Sequence, residues 1–104
     1  MRFDVYANEN QLTRKKVPFL LVLQSGLLDG LDTTVVAPLG KPSVVAGKLV
    51  QMLTPLLDVE GVGYVMYTPE LAAIPNARLR KRIANIESQR DTIVRALDFL
   101  FDGI

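Results

Sequence analysis

The strongest constraint in this sequence is its punctuation. All six prolines lie at or before Pro75, and six of the seven glycines lie at or before Gly63, the seventh being Gly103. Residues 76–102 contain neither. Breaks every several residues restrict the first three-quarters of the chain to short strands joined by turns, whereas an unbroken segment suits a helix. At 104 residues, the chain predicts a single domain over 1–104, near the usual lower range of domain size. Its 49% hydrophobic content supplies a core and its 22% charged content a solvated surface, which excludes a disordered chain.

Alternation of Phe3 and Val5 with Arg2, Asp4 and Tyr6 predicts a half-buried first strand. Asn8 to Lys16 is polar and reads as an exposed loop ending in Arg14-Lys15-Lys16. Phe19 to Leu23 is continuously apolar, as a central strand would be, and Asp29-Gly30-Leu31-Asp32 is a turn signal. Thr33 to Ala37 predicts a further strand ending at Pro38, with another turn at Gly40-Lys41-Pro42 and only a brief pairing at Val44-Val45. Leu49 to Val59 is apolar, but Pro55 requires an edge or a bulge there. Glu60-Gly61-Val62-Gly63 reads as a hairpin loop, and Tyr64 to Thr68 as the last clear strand.

The C-terminal segment has helical period. Ile83, Ile86, Ile93, Val94, Leu97, Leu100, Phe101 and Ile104 fall near one stripe, interrupted by Arg90. Ser88-Gln89-Arg90-Asp91 resembles a capping box, so the helix start falls between Asn85 and Ser88. Gly103 breaks the helix at its end, and Asp98 and Asp102 lie in its last turns against the helix dipole. The expected fold is mainly β with a C-terminal helix. About five short, mostly antiparallel strands form a strongly bent sheet or half-open barrel packed against one long helix.

The chemistry inventory is short. The chain lacks Cys and His, which removes disulfides, thiolate metal sites, thiol nucleophiles and the commonest general base. No cofactor is expected, and no carboxylate cluster suggests a metal. Asp29 with Asp32 and Asp58 with Glu60 are the available acid–base pairs, and both read as solvated turn carboxylates. A net charge of +1 is too small for a nucleic-acid-coating protein. Two local clusters could nonetheless touch phosphate: Arg14-Lys15-Lys16, and Arg78 with Arg80, Lys81 and Arg82. The longest apolar run is Val17 to Leu23, far below the roughly 20 residues of a membrane span, so a cytoplasmic protein is expected. Phe99, Leu100, Phe101 and Ile104 place large apolar groups at the chain end. Either that end is docked or it presents an apolar surface to a partner. These features favour a binding module over an enzyme.

Several segments together carry a resemblance. Met1-Arg2-Phe3-Asp4-Val5-Tyr6 resembles the opening strand of the CcdB family of plasmid and chromosomal toxins. Val22-Leu23-Gln24-Ser25-Gly26-Leu27-Leu28-Asp29 is similar to that family's strand ending in Gln-Ser and two hydrophobic residues before Asp. Val36-Ala37-Pro38-Leu39, the stretch from Thr68 to Pro75, and the end from Ala96 to Ile104 follow in the same order. The resemblance implies an SH3-like, partly open barrel acting as a homodimer. It also implies a toxin that poisons DNA gyrase by binding its A subunit and trapping the cleaved-DNA complex, without enzymatic chemistry. A CcdA-like antitoxin would neutralise it through a disordered tail that folds on binding.

By the same resemblance, the gyrase contact falls on Asp102, Gly103 and Ile104, where the family often has Trp-Gly-Ile. Gly103 and Ile104 agree, and Asp102 departs from the Trp. Antitoxin contacts fall near Leu27, Leu28, Asp98 and Phe101. Neither a membrane nor sequence-specific nucleic-acid binding is expected. Two alternatives compete. One is an endoribonuclease of the related MazF/Kid type, for which Arg2-Phe3-Asp4 lacks the glycine of that group's Arg-Gly-Asp. The other is a degenerate homologue that no longer poisons gyrase.

Overall fold

The computed structural model describes residues 1–42 and 48–104. Seven strands and two helices occur among them: β1 (Asp4–Ala7), β2 (Phe19–Val22), β3 (Thr33–Gly40), α1 (Lys48–Leu53), β4 (Leu56–Val59), β5 (Val62–Met66), β6 (Ala72–Pro75), β7 (Arg82–Asn85) and α2 (Arg90–Asp102). The strands form one antiparallel sheet in the order β4-β5-β3-β2-β1-β7, with β6 also paired to β3. The sheet curls into a half-barrel closed against α2, the mainly β fold with a C-terminal helix that the sequence predicts.

The strands supply most of the core, although only β4 alternates strictly between buried and exposed residues. Val5, Leu21, Ala37, Leu39, Leu57 and Met66 are buried, and Ile93 and Ala96 of α2 pack into the same core. Full burial of a side chain such as Ile93 contributes about 1.5–3 kcal/mol. Phe19 and Tyr64 meet edge to face at 5.0 Å between ring centroids, a favoured aromatic geometry.

The structure corrects several sequence expectations. Pro38 does not end β3, which continues to Gly40. On one side β3 pairs with β2 from Val36 to Leu39; on the other it pairs with β6 up to Val36 and with β5 only from Leu39. The Pro38 carbonyl accepts from the Tyr67 N–H on that second side, so the proline nitrogen points there too. The missing N–H therefore falls in the gap between two partner strands, where no ladder bond is lost.

The apolar run from Leu49 to Val59 is not one strand. It divides into α1 and β4 around Pro55, whose preceding residue is biased away from helix. β4 is the edge strand that a nearby proline allows. Val44-Val45 lies outside the described residues.

The hairpin loop contains only Glu60 and Gly61, at φ 54° and 86°, and β5 begins at Val62. Positive φ at both positions suits the twist of a two-residue hairpin, and the second is glycine. Asp58 Oδ1 accepts from the Gly61 N–H at 2.9 Å, a turn-forming role for this carboxylate.

Two strands lie beyond the last expected one. After Met66 the chain makes a 3-10 turn at Thr68–Glu70, then forms β6 and β7. Ile83 therefore belongs to a strand and Ile86 to the turn after it, not to the helical stripe. α2 begins at Arg90 with Gln89 as its cap residue, so Ser88 is not the cap. Arg90 is exposed, with Nη1 4.0 Å from Asp91 Oδ1.

Candidate functional site

α2 carries the residues that the sequence points to most strongly. Its last turn contains Asp102 and no basic residue, leaving the negative end of the helix uncompensated from within. Gly103 takes a left-handed conformation at φ 75°, and its N–H donates to the Phe99 carbonyl at 3.0 Å. A glycine suits this terminator because left-handed backbone costs a residue with a Cβ. Asp102, Gly103 and Ile104 are all exposed, and Ile104 retains 83% of its accessible surface. Phe101 retains 69%, while Phe99 and Leu100 are half-buried. The helix is thus anchored by Ile93 and Ala96, and its final residues project from that anchor.

The second candidate region is the loop between β2 and β3. Gln24 organises it: Oε1 accepts from the Val35 N–H at 3.1 Å, and Nε2 donates to the Thr33 carbonyl at 3.2 Å. Ser25 caps a 3-10 turn at Gly26–Leu28, with Oγ accepting from the Leu27 N–H at 3.2 Å. Asn76 braces the far side, donating from Nδ2 to the Leu31 carbonyl at 2.6 Å and accepting from Thr34 Oγ1. The result is a shaped loop whose apolar side chains stay outside. Leu27 is 96% exposed and Leu28 47%.

Leu27 and Leu28 sit on this loop, whereas Asp98 and Phe101 sit on α2. Among the described residues no hydrogen bond or ion pair joins the two sets within one chain. Sequence reading did not single out Gln24 and Asn76 as loop braces. The Gln-Ser motif signals the first, and no comparable signal marks the second.

The basic clusters also have definite places. Arg82 differs from its neighbours because its Nε donates to Asp4 Oδ1 at 3.0 Å. Asn85 Nδ2 donates to the same oxygen at 2.9 Å, and the Met1 ammonium lies 3.4 Å from Oδ2. Burial works to raise the Asp4 pKa, but the hydrogen bonds from Asn85 and Arg82 and the nearby positive charges outweigh it. The carboxyl is held below its ordinary 3.8. Arg78 and Arg80 instead line an open groove with Asn8, Asn10 and Thr13. Among the described residues no helix is long and apolar enough to cross a membrane.

The fold is a curled half-barrel whose one long helix presents its final residues to solvent, with a second exposed apolar loop between β2 and β3. The family model for CcdB protein matches residues 2–103. The chain belongs to the CcdB family, the toxins of toxin–antitoxin modules.

Proposed function

We propose that this chain is the toxin of a type II toxin–antitoxin pair, acting by binding the A subunit of DNA gyrase through Asp102, Gly103 and Ile104 and trapping the cleaved-DNA complex. The observation that carries this reading is the projection of the chain end beyond the left-handed Gly103, with Ile104 83% exposed. Ile104 supplies an apolar anchor, and Asp102 supplies a carboxylate for a basic group on the target. A desolvated carboxylate strengthens binding only when it is well paired, so Asp102 would select a different partner group from the one a Trp would stack on. The protein acts as a homodimer, in which one self-complementary patch serves both copies. A CcdA-like antitoxin tail folds over Leu27, Leu28, Asp98 and Phe101, whose exposed apolar groups suit an amphipathic segment.

Removing Gly103 and Ile104 tests the reading. Gyrase A affinity should fall more than about a hundredfold, the scale of losing a central interface anchor. The thermal midpoint should stay within a few degrees, because an exposed Ile104 contributes little burial. Asp102→Trp separates two modes: tighter gyrase binding means that the aromatic anchor fits this target, weaker binding that Asp102 has its own basic partner. A truncated protein that still traps cleaved DNA would place the contact elsewhere.

A further inference from the structure

Burial does not hold the β2–β3 loop in place. Residues 25–33 are all exposed, and the 3-10 turn at Gly26–Leu28 buries no side chain. A connection with so few buried contacts ordinarily opens at little cost and samples many conformations. This one is pinned by two amide side chains instead, one on each side of β3.

Each amide carries a ladder past the end of its strand. β2 pairs with β3 as far as Val22 and Val36. Beyond that point Gln24 takes over. Its Oε1 accepts from the Val35 N–H at 3.1 Å, and its Nε2 donates to the Thr33 carbonyl at 3.2 Å and the Leu28 carbonyl at 3.4 Å. On the other side, β6 pairs with β3 as far as Pro75 and Thr33. Asn76 continues from there. Its N–H donates to the Asp32 carbonyl at 3.0 Å, its Nδ2 donates to the Leu31 carbonyl at 2.6 Å, and its Oδ1 accepts from Thr34 Oγ1. Gln24 thus ties the entry of the loop to its exit, and Asn76 ties Leu31 to a position 45 residues further along the chain. Both braces are half-buried, whereas the leucines they leave outside are open to contact: Leu27 is 96% exposed, Leu31 52% and Leu28 47%.

We propose that Gln24 and Asn76 are positioning residues that pre-order this loop for the antitoxin tail without touching the tail themselves, a role that rests on the reading that the tail docks on Leu27 and Leu28. A segment that folds as it binds already loses conformational entropy at that moment. A surface that had to order at the same time would add a second loss, and a pre-ordered one avoids it. Apparent affinity then scales with the fraction of free toxin whose loop already has the bound shape. The braces act on that fraction, so they govern how often an encounter succeeds, while the leucines govern how long the complex lasts.

The test is stopped-flow binding of a synthetic peptide spanning the tail of the CcdA-like antitoxin, with circular dichroism confirming that each variant is folded. N76A should lower the association rate constant about two- to tenfold, the population equivalent of one lost hydrogen bond, and leave the dissociation rate constant unchanged. Q24A should do the same. N76D, which keeps the acceptor for Thr34 Oγ1 and loses only the donor to Leu31, should match N76A. Changing Leu28 and Phe101 together to Ser should instead raise the dissociation rate constant. Gly30 supplies a rescue: its φ is not left-handed and a Cβ there would meet no atom within 4 Å, so Ala fits. Added to N76A, G30A should recover about two- to fivefold in association, because Ala restricts the unpinned loop. Unchanged association in N76A and Q24A, faster dissociation in its place, or no recovery with G30A would overturn the positioning role. If the Leu28 and Phe101 double variant binds as wild type does, the docking reading falls and this role with it. If that variant alone loses affinity, the reading stands and only the braces are refuted.

Discussion

Gln89 holds Asp58 by both of its backbone groups. The Asp58 N–H donates to Gln89 Oε1 at 2.8 Å, and Gln89 Nε2 donates to the Asp58 carbonyl at 2.7 Å. β4 is an edge strand, so these groups would otherwise face solvent or another chain. One side-chain amide therefore serves as a single residue of a missing neighbour strand. Gln89 is also the cap residue of α2, so the same contact seats the start of the helix on the sheet edge.

Replacing Gln89 by Ala should remove both bonds. At about 0.5–1.5 kcal/mol each, the loss is about 1–3 kcal/mol, and about 1 kcal/mol moves the midpoint of a domain this size by roughly 4–8 °C. Gln89→Glu retains an acceptor for the Asp58 N–H but loses the donor to its carbonyl, so it should not restore wild-type stability. Thermal unfolding of the three proteins checks this; an unchanged midpoint for the Ala variant would show that the clamp adds no net stability.

Gly40 should not tolerate even a methyl group. A Cβ there would lie 2.6 Å from Tyr67 Cε2 and 2.9 Å from the Lys16 carbonyl oxygen. The Tyr67 ring is held by its hydroxyl, which donates to the Lys41 carbonyl at 3.0 Å, and the other neighbour is backbone. Gly40→Ala should therefore destabilise by about 1–3 kcal/mol, the usual cost of overpacking. Denaturant titration gives the value directly.

The buried Asp4 carboxylate should make stability sensitive to acid. Its folded pKa is lowered, so its contribution is fully present above the unfolded value near 3.8 and is lost as pH falls through the lower folded value. Asp4→Asn should be less stable at neutral pH, and the gap between the two proteins should narrow as pH drops below about 4. Thermal midpoints measured in parallel from neutral pH downward test the sign. A gap that stays constant into the acid range would remove Asp4 as its source.

Changing Leu28 and Phe101 together to Ser should weaken antitoxin binding while preserving the fold, since both side chains are exposed. Calorimetric titration with the antitoxin tail measures the effect, and circular dichroism checks the fold. Equal affinity in the folded double variant would move the tail to another face.

Much of this fold was legible because alternation and turn chemistry agree with it. β2 and the start of β3 follow from apolar patterning, and the Glu60-Gly61 turn from its glycine, whereas β1 departs from the expected alternation: Phe3 lies before the strand at φ 69°, and Asp4, expected on the outer side, is buried. β6 and β7 were hidden for a physical reason. Ala72–Pro75 and Arg82–Asn85 have weak intrinsic strand character, and their pairing with β3 and β1 decides their conformation. The division between α1 and β4 was hidden because a short apolar run fits either element. The terminal segment was legible from the motif around Gly103. The meeting of Arg78 and Arg80 with the Asn8–Val17 turn was not, because it depends on pairings between distant segments.

The contact between Asp4 and Asn85 spans 81 residues of chain. Every other strand described lies between β1 and its β7 partner in the chain. At ordinary synthesis rates of about 5–20 residues per second, β1 waits about 4–16 seconds for that partner. Such distant pairings must meet their loop-closure cost before they return any stability, which makes them slow to form. The half-barrel therefore acquires its final seam only as α2 is being made. During synthesis, the helix bearing the proposed contact end and the strand completing the sheet arrive almost together.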